Sequence, residues 1–198
     1  MSARPELPVL DDPRAMRALA HPVRLDLLEA LTIHGPLTAT QAAEIVGESP
    51  ANCSWHLRQL AKYGFIEEAA SSGGRTRPWR RTSRGLTWTE SESDPASAAA
   101  ARSLTQVFLD RELRLIREAM AAPEPPGWAD SVIATESMTW LTRDEMRELD
   151  AALFELLLRH RDRVDDPAQR PEGSRPVRLL AMGAPDDRIS HLPGDNDA

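Results

Sequence analysis

Residues 49–82 of this chain read SPANCSWHLRQLAKYGFIEEAASSGGRTRPWRRT and divide into two halves. In the first half, Ser49 suits an N-cap, Pro50 suits the first helical position, and apolar residues recur at helical spacing. In the second half, apolar Ile66 precedes a Ser-Ser-Gly-Gly turn and a returning run of arginines, which predicts a β-hairpin. A helix followed by a basic hairpin is typical of a winged helix-turn-helix.

Upstream of this stretch, the chain carries signals for three shorter helices. Asp12-Pro13 opens the first helix, and Pro22 separates it from a second helix that ends at Gly35. Thr38 caps a third, and Gly47 supplies the turn into the helix at 49–63. The third and fourth helices, joined by this short turn, form the predicted helix-turn-helix.

The charge distribution is uneven along the chain. The formal net charge is −7, yet residues 54–86 hold seven basic side chains against two acidic ones. Residues 91–198 hold 13 basic and 21 acidic side chains. Because nucleic-acid binding needs a local basic surface and not a basic whole protein, the stretch at 54–86 favours DNA as a partner.

A helical wheel divides the helix at 49–63 into two faces. Cys53, Leu57 and Leu60 share one side, which we assign to the core. The opposite side and its edges, together with the arginines of the hairpin, form the predicted DNA-binding set. Its members are Asn52, Ser54, Trp55, His56, Arg58, Gln59, Lys62, Arg75, Arg77, Arg80 and Arg81.

Different members of this set suit different contacts with DNA. Asn and Gln pair with adenine and Arg with guanine in the major groove, whereas Lys62 suits a phosphate. Arginines at a wing tip suit phosphates and a narrow minor groove. Trp55 either contacts DNA or packs on the wing, and Trp79 is expected to pack in the core or within the wing and not on DNA.

Three segments resemble winged-helix repressors of the arsenical-repressor (ArsR) family. They are ALAHPVRLDLLEAL (18–31), LTATQAAEIVGESPANCSWHLRQLAKYGFIEEA (37–69) and the wing GRTRPWRRT, and the resemblance covers about residues 12–90. Ser54, His56, Leu57 and Leu60 fall on the family signature S-x-HL-x-x-L. The resemblance implies that the polar residues of this helix lie at a DNA interface and that its leucines hold it to the core. For His56, at the edge of the two faces, a structural or phosphate role is expected.

The family's metal-sensing sites do not carry over. The thiolate version needs several cysteines, and this chain has only Cys53, which we place in the core. The zinc version needs histidines on the helix after the wing, and residues 96–120 have none. We therefore expect no metal and no cofactor. Without a nucleophile elbow, paired catalytic carboxylates or a phosphate-binding glycine loop, we do not expect an enzyme.

The second half predicts a dimerisation region. A long helix over 96–120 would offer Leu104, Phe108, Leu115 and Ile116 to a second chain. Residues 131–141 and 176–182 are predicted strands. Between them, a capping box at 142–145 opens a helix to about residue 161, whose apolar stripe must pack on something: Met146, Leu149, Leu153, Leu156 and Leu157. An organic effector pocket in 96–183, lined by Trp128 and Trp140, is the alternative.

These patterns predict a mainly α protein with a β-wing. The expected parts are a flexible arm (1–11), a winged helix-turn-helix domain (12–90), a helical or α+β dimerisation region (94–183) and a flexible tail (184–198). The expected function is that of a dimeric transcriptional regulator, more a repressor than an activator, on an inverted-repeat operator in double-stranded DNA. A winged-helix protein–protein interaction module is the other reading. No stretch has signal-peptide or membrane-spanning character, so we expect a cytoplasmic, nucleoid-associated protein.

Overall fold

A computed structural model describes residues 8–70, 77–83, 85–88, 94–128 and 131–186. The described elements are α1 (Pro13–Leu19), α2 (Pro22–His34), α3 (Ala39–Val46), α4 (Pro50–Lys62), β1 (Ile66–Glu68), β2 (Trp79–Arg81), α5 (Pro95–Ala121), α6 (Arg143–Leu158), α7 (Asp162–Asp165) and a 3₁₀ turn (Pro167–Gln169). The protein is mainly helical with one small antiparallel sheet, which confirms the predicted fold class.

Side-chain caps set the starts of five helices. Asp12, Ser49 and Asp94 each accept a backbone N–H from the first turn of the helix that follows. Thr38 and Thr142 form full capping boxes with the third residue of α3 and of α6. Each cap satisfies a backbone donor that has no partner inside the helix, which explains why local sequence placed these boundaries.

The hydrophobic core lies between α1, α2, α3, α4 and the first half of α5. Its fully buried members include Met16, Leu19, Leu27, Leu57, Leu60 and Leu104. α1 packs against α5, and the indole N–H of Trp88 donates to Thr105 Oγ1 of α5 at 2.9 Å. The first half of α5 thus completes the core of the winged-helix part of the chain.

This packing corrects one predicted dimer residue. Leu104 has no exposed surface because it fills the core of its own chain, so it is not available to a second copy. Phe108, Leu115 and Ile116 lie further along α5 and are half-buried. The indole of Trp88 packs edge-on against Phe108, with ring centroids 5.6 Å apart.

The wing is an antiparallel pair, β1 with β2. Ile66 pairs with Arg81, Glu67 with Arg80, and Glu68 with Trp79. The backbone of Leu37, before α3, extends the pairing through two hydrogen bonds to Trp79 of 3.0 and 2.8 Å. Trp79 is half-buried and packs against the core, as the sequence predicts. Since β1 follows α4 and Leu37 precedes α3, the wing is joined to the helix-turn-helix at both of its ends.

The predicted flexible arm is wrong for the part of it that the structure describes. The backbone N–H of Leu10 donates to the carbonyl of Thr87 at 2.8 Å, and the N–H of Thr87 donates to the carbonyl of Pro8 at 3.1 Å. These bonds attach the start of the chain to the segment that follows the wing. The sequence carries no local signal for such a long-range bridge.

The two strands predicted in the second half are also wrong. Residues 131–141 and 176–182 have an irregular backbone, and the described sheet contains only β1 and β2. A strand needs a neighbour to accept its backbone hydrogen bonds, and the described residues offer neither segment such a partner.

The helix α6 forms as predicted from its capping box, but its apolar stripe is not covered. No residue of α6 is buried; Leu149, Leu156 and Leu157 expose 44, 53 and 37 % of their surface, while Met146 and Leu153 are half-buried. The sequence predicts that this stripe packs on something, and the described residues of the single chain do not cover it. A capped helix with an open apolar face is a surface for contact with another molecule.

A ring of charges joins α2, α5 and the C-terminal segment. The guanidinium groups of Arg111 and Arg178 both bind the carboxylates of Glu29 and Glu112, and Arg111 Nε also donates to Asp26 at 2.7 Å. The side chain of Arg111 is only 6 % exposed. Burial disfavours the charged form of Glu29, but the hydrogen bonds from the two arginines outweigh it and lower its pKa.

Truncating the inner face of α4 tests the core. Leu57→Ala should lower the free energy of unfolding by about 2–5 kcal/mol, because it leaves a cavity at a fully buried position. Ile45→Ala, at an exposed position of α3, is the control and should change it by less than about 0.5 kcal/mol. Urea unfolding followed by circular dichroism measures both; equal effects would contradict the described core.

Removing one member of the charge ring tests its role. Arg111→Ala should destabilise the protein by about 3 kcal/mol, the low end for a broken buried pair, because Asp26 loses its guanidinium partner while Glu29 and Glu112 keep only Arg178. Arg114→Ala, whose partner Glu118 is exposed, is the control and should cost at most about 0.5 kcal/mol.

The pH dependence follows from the lowered pKa of Glu29. The ionised Glu29 carboxylate should contribute fully to the free energy of unfolding above pH 4.5, the ordinary pKa of a glutamate. This contribution should be lost as the pH falls further and the carboxylate is protonated. Urea unfolding measured from pH 7 down to about pH 3 should show this loss below pH 4.5 in the wild type and a smaller one in Arg111→Ala. An identical acid response in both would exclude the ring as its source.

Candidate nucleic-acid interface

The helix-turn-helix is formed by α3 and α4. Gly47 ends α3 in the left-handed conformation (φ 73°), which favours glycine, and Ser49 begins α4 two residues later. Cys53, Leu57 and Leu60 of α4 are fully buried, as predicted for its inner face. Because α4 is held along that face, its opposite face is directed away from the core.

The outer face of α4 carries polar and basic side chains together with one indole. Arg58, Lys62 and Trp55 are exposed, and Asn52 and Gln59 are partly exposed. Within the free protein, Asn52 Nδ2 donates to Glu48 at 2.8 Å and Arg58 Nη1 donates to Ser54 Oγ at 2.9 Å. These partners are exposed, so the amide and the guanidinium are free to exchange them for an external ligand.

His56 corrects the sequence prediction that it belongs to the DNA-binding set. Its side chain is buried, with 3 % exposed, and it packs behind α4 against His21, with ring centroids 4.5 Å apart. Arg24 Nε donates to His56 Nδ1 at 3.4 Å. The helical wheel places His56 at the edge of the outer face, but the α1–α2 turn covers that edge.

Sequence reasoning overlooked Arg24 and treated His21 only as part of a helix break. Arg24 lies on α2, and its guanidinium lies over the Trp55 ring at 5.8 Å while it donates to the carbonyl of Ala18. The only available signal was the sequence HPVR at the start of α2, which gives no indication of its neighbours in space.

The arginines of the wing differ from one another in exposure. Arg77 and Arg80 are exposed and form ion pairs across the sheet with Glu68 and Glu67, at 2.6 and 2.7 Å. The predicted contact Arg75 lies outside the described residues. The cross-strand glutamates partly neutralise the wing in the free protein, an arrangement that the hairpin register creates.

Arg81 is a second correction within the predicted DNA-binding set. Alternation along β2 turns its side chain toward the body of the protein, where Nη1 donates to Thr32 Oγ1 of α2 at 2.7 Å. Burial, with a smaller effect of Arg161, lowers the pKa of its guanidinium. Arg81 therefore fastens the wing to α2, and phosphates cannot reach it without breaking that contact.

Two other kinds of site are absent from the described parts of the chain. There, no three histidine, cysteine, aspartate or glutamate side chains are gathered as a metal ion would require. Across the same residues, no helix combines the length and apolar character needed to cross a bilayer.

Residues 19–69 match the family model of a helix-turn-helix domain. No curated protein sequence matches the chain. The helix-turn-helix domain matched at residues 19–69 is a binding module, in agreement with the expectation that the protein is not an enzyme.

Several solved transcriptional regulators resemble the chain loosely. A "possible transcriptional regulator for arsenical resistance" is 27 % identical, covering 55 % of this chain and 96 % of its own, with a TM-score of 0.31. MepR of Staphylococcus aureus, regulator of a multidrug efflux pump, is 15 % identical over 73 % and 89 % (TM-score 0.29). A MarR family protein of Mycobacterium tuberculosis, solved with salicylic acid, is 20 % identical over 73 % and 85 % (TM-score 0.30).

The matched residues 19–69 span α2, α3, α4 and β1 and contain the two-faced helix described above. The predicted resemblance to winged-helix regulators is confirmed. Residues 19–69 of this chain therefore form a helix-turn-helix domain, a module that DNA-binding proteins use.

Proposed function

We propose that this protein reads a specific DNA sequence, with the helix at 49–63 in the major groove and the wing at 67–82 on the backbone and minor groove. The observation that carries the proposal is the division of α4. Its inner face is buried in the core, while its outer face presents amide, guanidinium and ammonium groups. A helix held in this way is rigid enough to be inserted into the groove and polar enough to pair with bases.

Three side chains on α4 have the chemistry to read bases. The amides of Asn52 and Gln59 match the donor and acceptor of adenine, and the guanidinium of Arg58 matches guanine. Lys62, in the last turn of α4, suits a phosphate. Asn52 and Arg58 must leave Glu48 and Ser54 on binding, an exchange between one set of exposed hydrogen bonds and another.

The exposed arginines of the wing are proposed to contact phosphates. Arg77 and Arg80 are paired with glutamates in the free protein, and the polyanion would compete with these carboxylates for the guanidinium groups. Arg75 stays a prediction from the sequence. The wing therefore contributes affinity and orientation, while α4 contributes sequence preference.

Two substitutions should separate these roles. Arg77→Ala should weaken binding to every duplex and reduce the salt slope by about one, since one phosphate contact is lost. Gln59→Ala should relax preference at one base pair. Arg147→Ala, an exposed arginine on α6, is the control for loss of charge and should change neither. Fluorescence anisotropy with duplexes selected from the source genome, at several salt concentrations, measures both effects.

The opposite results would identify the rival function. If selection recovers no duplex, or binding is insensitive to salt, the DNA-binding proposal fails. Capture of a protein partner that Trp55→Ala abolishes would then support the alternative of a winged-helix interaction module. Trp55 suits that test because 47 % of its surface is exposed on the outer face of α4.

We further propose that the protein acts as a two-fold dimer on an inverted repeat and that region 94–183 makes the dimer. Leu115 and Ile116 are half-buried on the outer part of α5. Several large apolar side chains downstream have more than half of their surface exposed: Val132, Ile133, Met138, Trp140, Leu156, Val177, Leu179 and Met182. So much apolar surface favours association, and paired half-sites require two reading helices.

The dimer proposal predicts a change in mass. The wild-type chain should have the mass of two chains in light scattering after size-exclusion chromatography, and the double variant Leu115→Glu/Ile116→Glu that of one. Arg117→Glu, an exposed neighbour on α5, is the control and should stay dimeric. A monomeric wild type, or a dimeric double variant, would remove α5 from the interface.

Repression is the regulatory outcome we favour, since a dimer on an operator blocks access to a promoter. An organic effector pocket in 96–183 is the alternative role of the second half. Trp140 exposes 83 % of its surface, so in one chain it lines no enclosed cavity. Such a pocket would need a second chain to close it.

A further inference from the structure

Four side chains meet behind the outer face of α4: His21, Arg24, Trp55 and His56. The His56 ring lies 4.5 Å from the His21 ring and 4.7 Å from the Trp55 ring, which it meets edge-on. Arg24 contacts the middle and one end of this row, since its Nε donates to His56 Nδ1 at 3.4 Å and its guanidinium carbon lies 5.8 Å from the Trp55 ring. The row therefore connects the α1–α2 turn to the exposed indole.

The contacts of this row fit neutral histidines. His56 Nδ1 accepts from Arg24 and cannot carry a proton in that bond, and His21 Nδ1 is buried without a partner. Three basic groups thus lie together. The charged and titratable groups that act on them from neighbouring elements are Glu48, before α4, which favours the protonated histidines, and Tyr63, at the end of α4, which acts on Arg24.

Burial and the neighbouring positive charge point in the same direction. Burial and then Arg24 lower the pKa of His21; burial, His21 and Arg24 lower the pKa of His56, and Glu48 offsets this only in part. Neutral pH therefore leaves the row intact.

We infer that Arg24, His21 and His56 are positioning residues for Trp55, and that protonation of the histidine pair releases the indole and weakens DNA binding. This inference rests on the proposed DNA-binding function. A proton on His56 Nδ1 would turn the acceptor of Arg24 into a second donor and set two cations against each other. Arg24 would then withdraw from His56 and from the Trp55 ring, and the indole would lose the support of both neighbours.

The direction of the effect distinguishes this arrangement from an ordinary interface histidine. A histidine that faces DNA gains a positive charge in acid and binds phosphates more strongly. His56 is buried behind the helix, so its proton disturbs the support of Trp55 instead of adding a phosphate contact. Acid should therefore weaken binding here.

The test is the pH profile of DNA affinity for the full-length protein. With a fluorescent duplex selected from the source genome as probe, the wild-type affinity should fall several-fold between pH 7.5 and 5.5, with the loss beginning below the ordinary histidine pKa of 6.5. Asn offers an acceptor near the place of Nδ1 and does not titrate. His56→Asn should therefore lose most of the pH slope, whatever its affinity at pH 7.5. His34→Asn, at the exposed end of α2, is the control and should keep it.

A second measurement at pH 7.5 makes the inference independent of acid stability. Arg24→Gln should weaken binding several-fold and increase quenching of tryptophan fluorescence by acrylamide, whereas Trp55→Phe/Arg24→Gln should show no such increase over Trp55→Phe. Circular dichroism checks that each variant is folded.

The possible results separate this inference from the function on which it rests. Binding that strengthens in acid, an unchanged slope in His56→Asn, or wild-type affinity in Arg24→Gln would overturn the positioning role. Failure of the wild type to bind any duplex at pH 7.5 would instead overturn the proposed function.

Discussion

The burial of one face of α4 is the constraint on which the rest of this protein depends. Cys53, Leu57 and Leu60 are inserted between α2 and α3 without exposed surface, and this fixes the rotation of the helix about its axis. Because side chains on a helix are spaced by about 100°, holding three of them determines where Asn52, Gln59 and the other outer side chains point. The hydrophobic core thus specifies the polar face.

The helix α5 belongs to both halves of the chain. With 27 residues it is about 40 Å long at 1.5 Å per residue. Its first half completes the core beside α1, and Arg111 further along joins it to α2 and to the C-terminal segment through shared carboxylates. A boundary drawn between the wing and α5 would therefore cut through one packed unit. If α5 also holds a second copy of the chain, as proposed, α4 and the dimer axis are connected through α2.

Local sequence predicted what local physics determines. The caps at Asp12, Thr38, Ser49 and Thr142 act within one turn of their helices, so four helix starts could be placed from residue type alone. The strands at 131–141 and 176–182 could not, because a strand exists only beside a partner, and β-branched residues do not supply one. What covers the apolar stripe of α6 could not be predicted for a related reason, since periodicity predicts an apolar face but not its partner.

The candidate interface shows the same division. The outer face of α4 followed from helical spacing, whereas the burial of His56 depends on a turn 35 positions earlier and that of Arg81 on a threonine in α2. The pairing of Arg77 and Arg80 with glutamates follows from hairpin register, which the sequence specifies only together with the turn. Basic residues could thus be found by composition, but their availability to DNA required the structure.

The position of Cys53 has a practical consequence. It is the only cysteine of the chain, it is fully buried on the inner face of α4, and burial raises the pKa of its thiol. A thiol reagent can reach it only when α4 separates from its neighbours, so the rate of labelling reports how often that separation occurs. The protein therefore contains a native probe of the opening of α4, one that needs no engineered label.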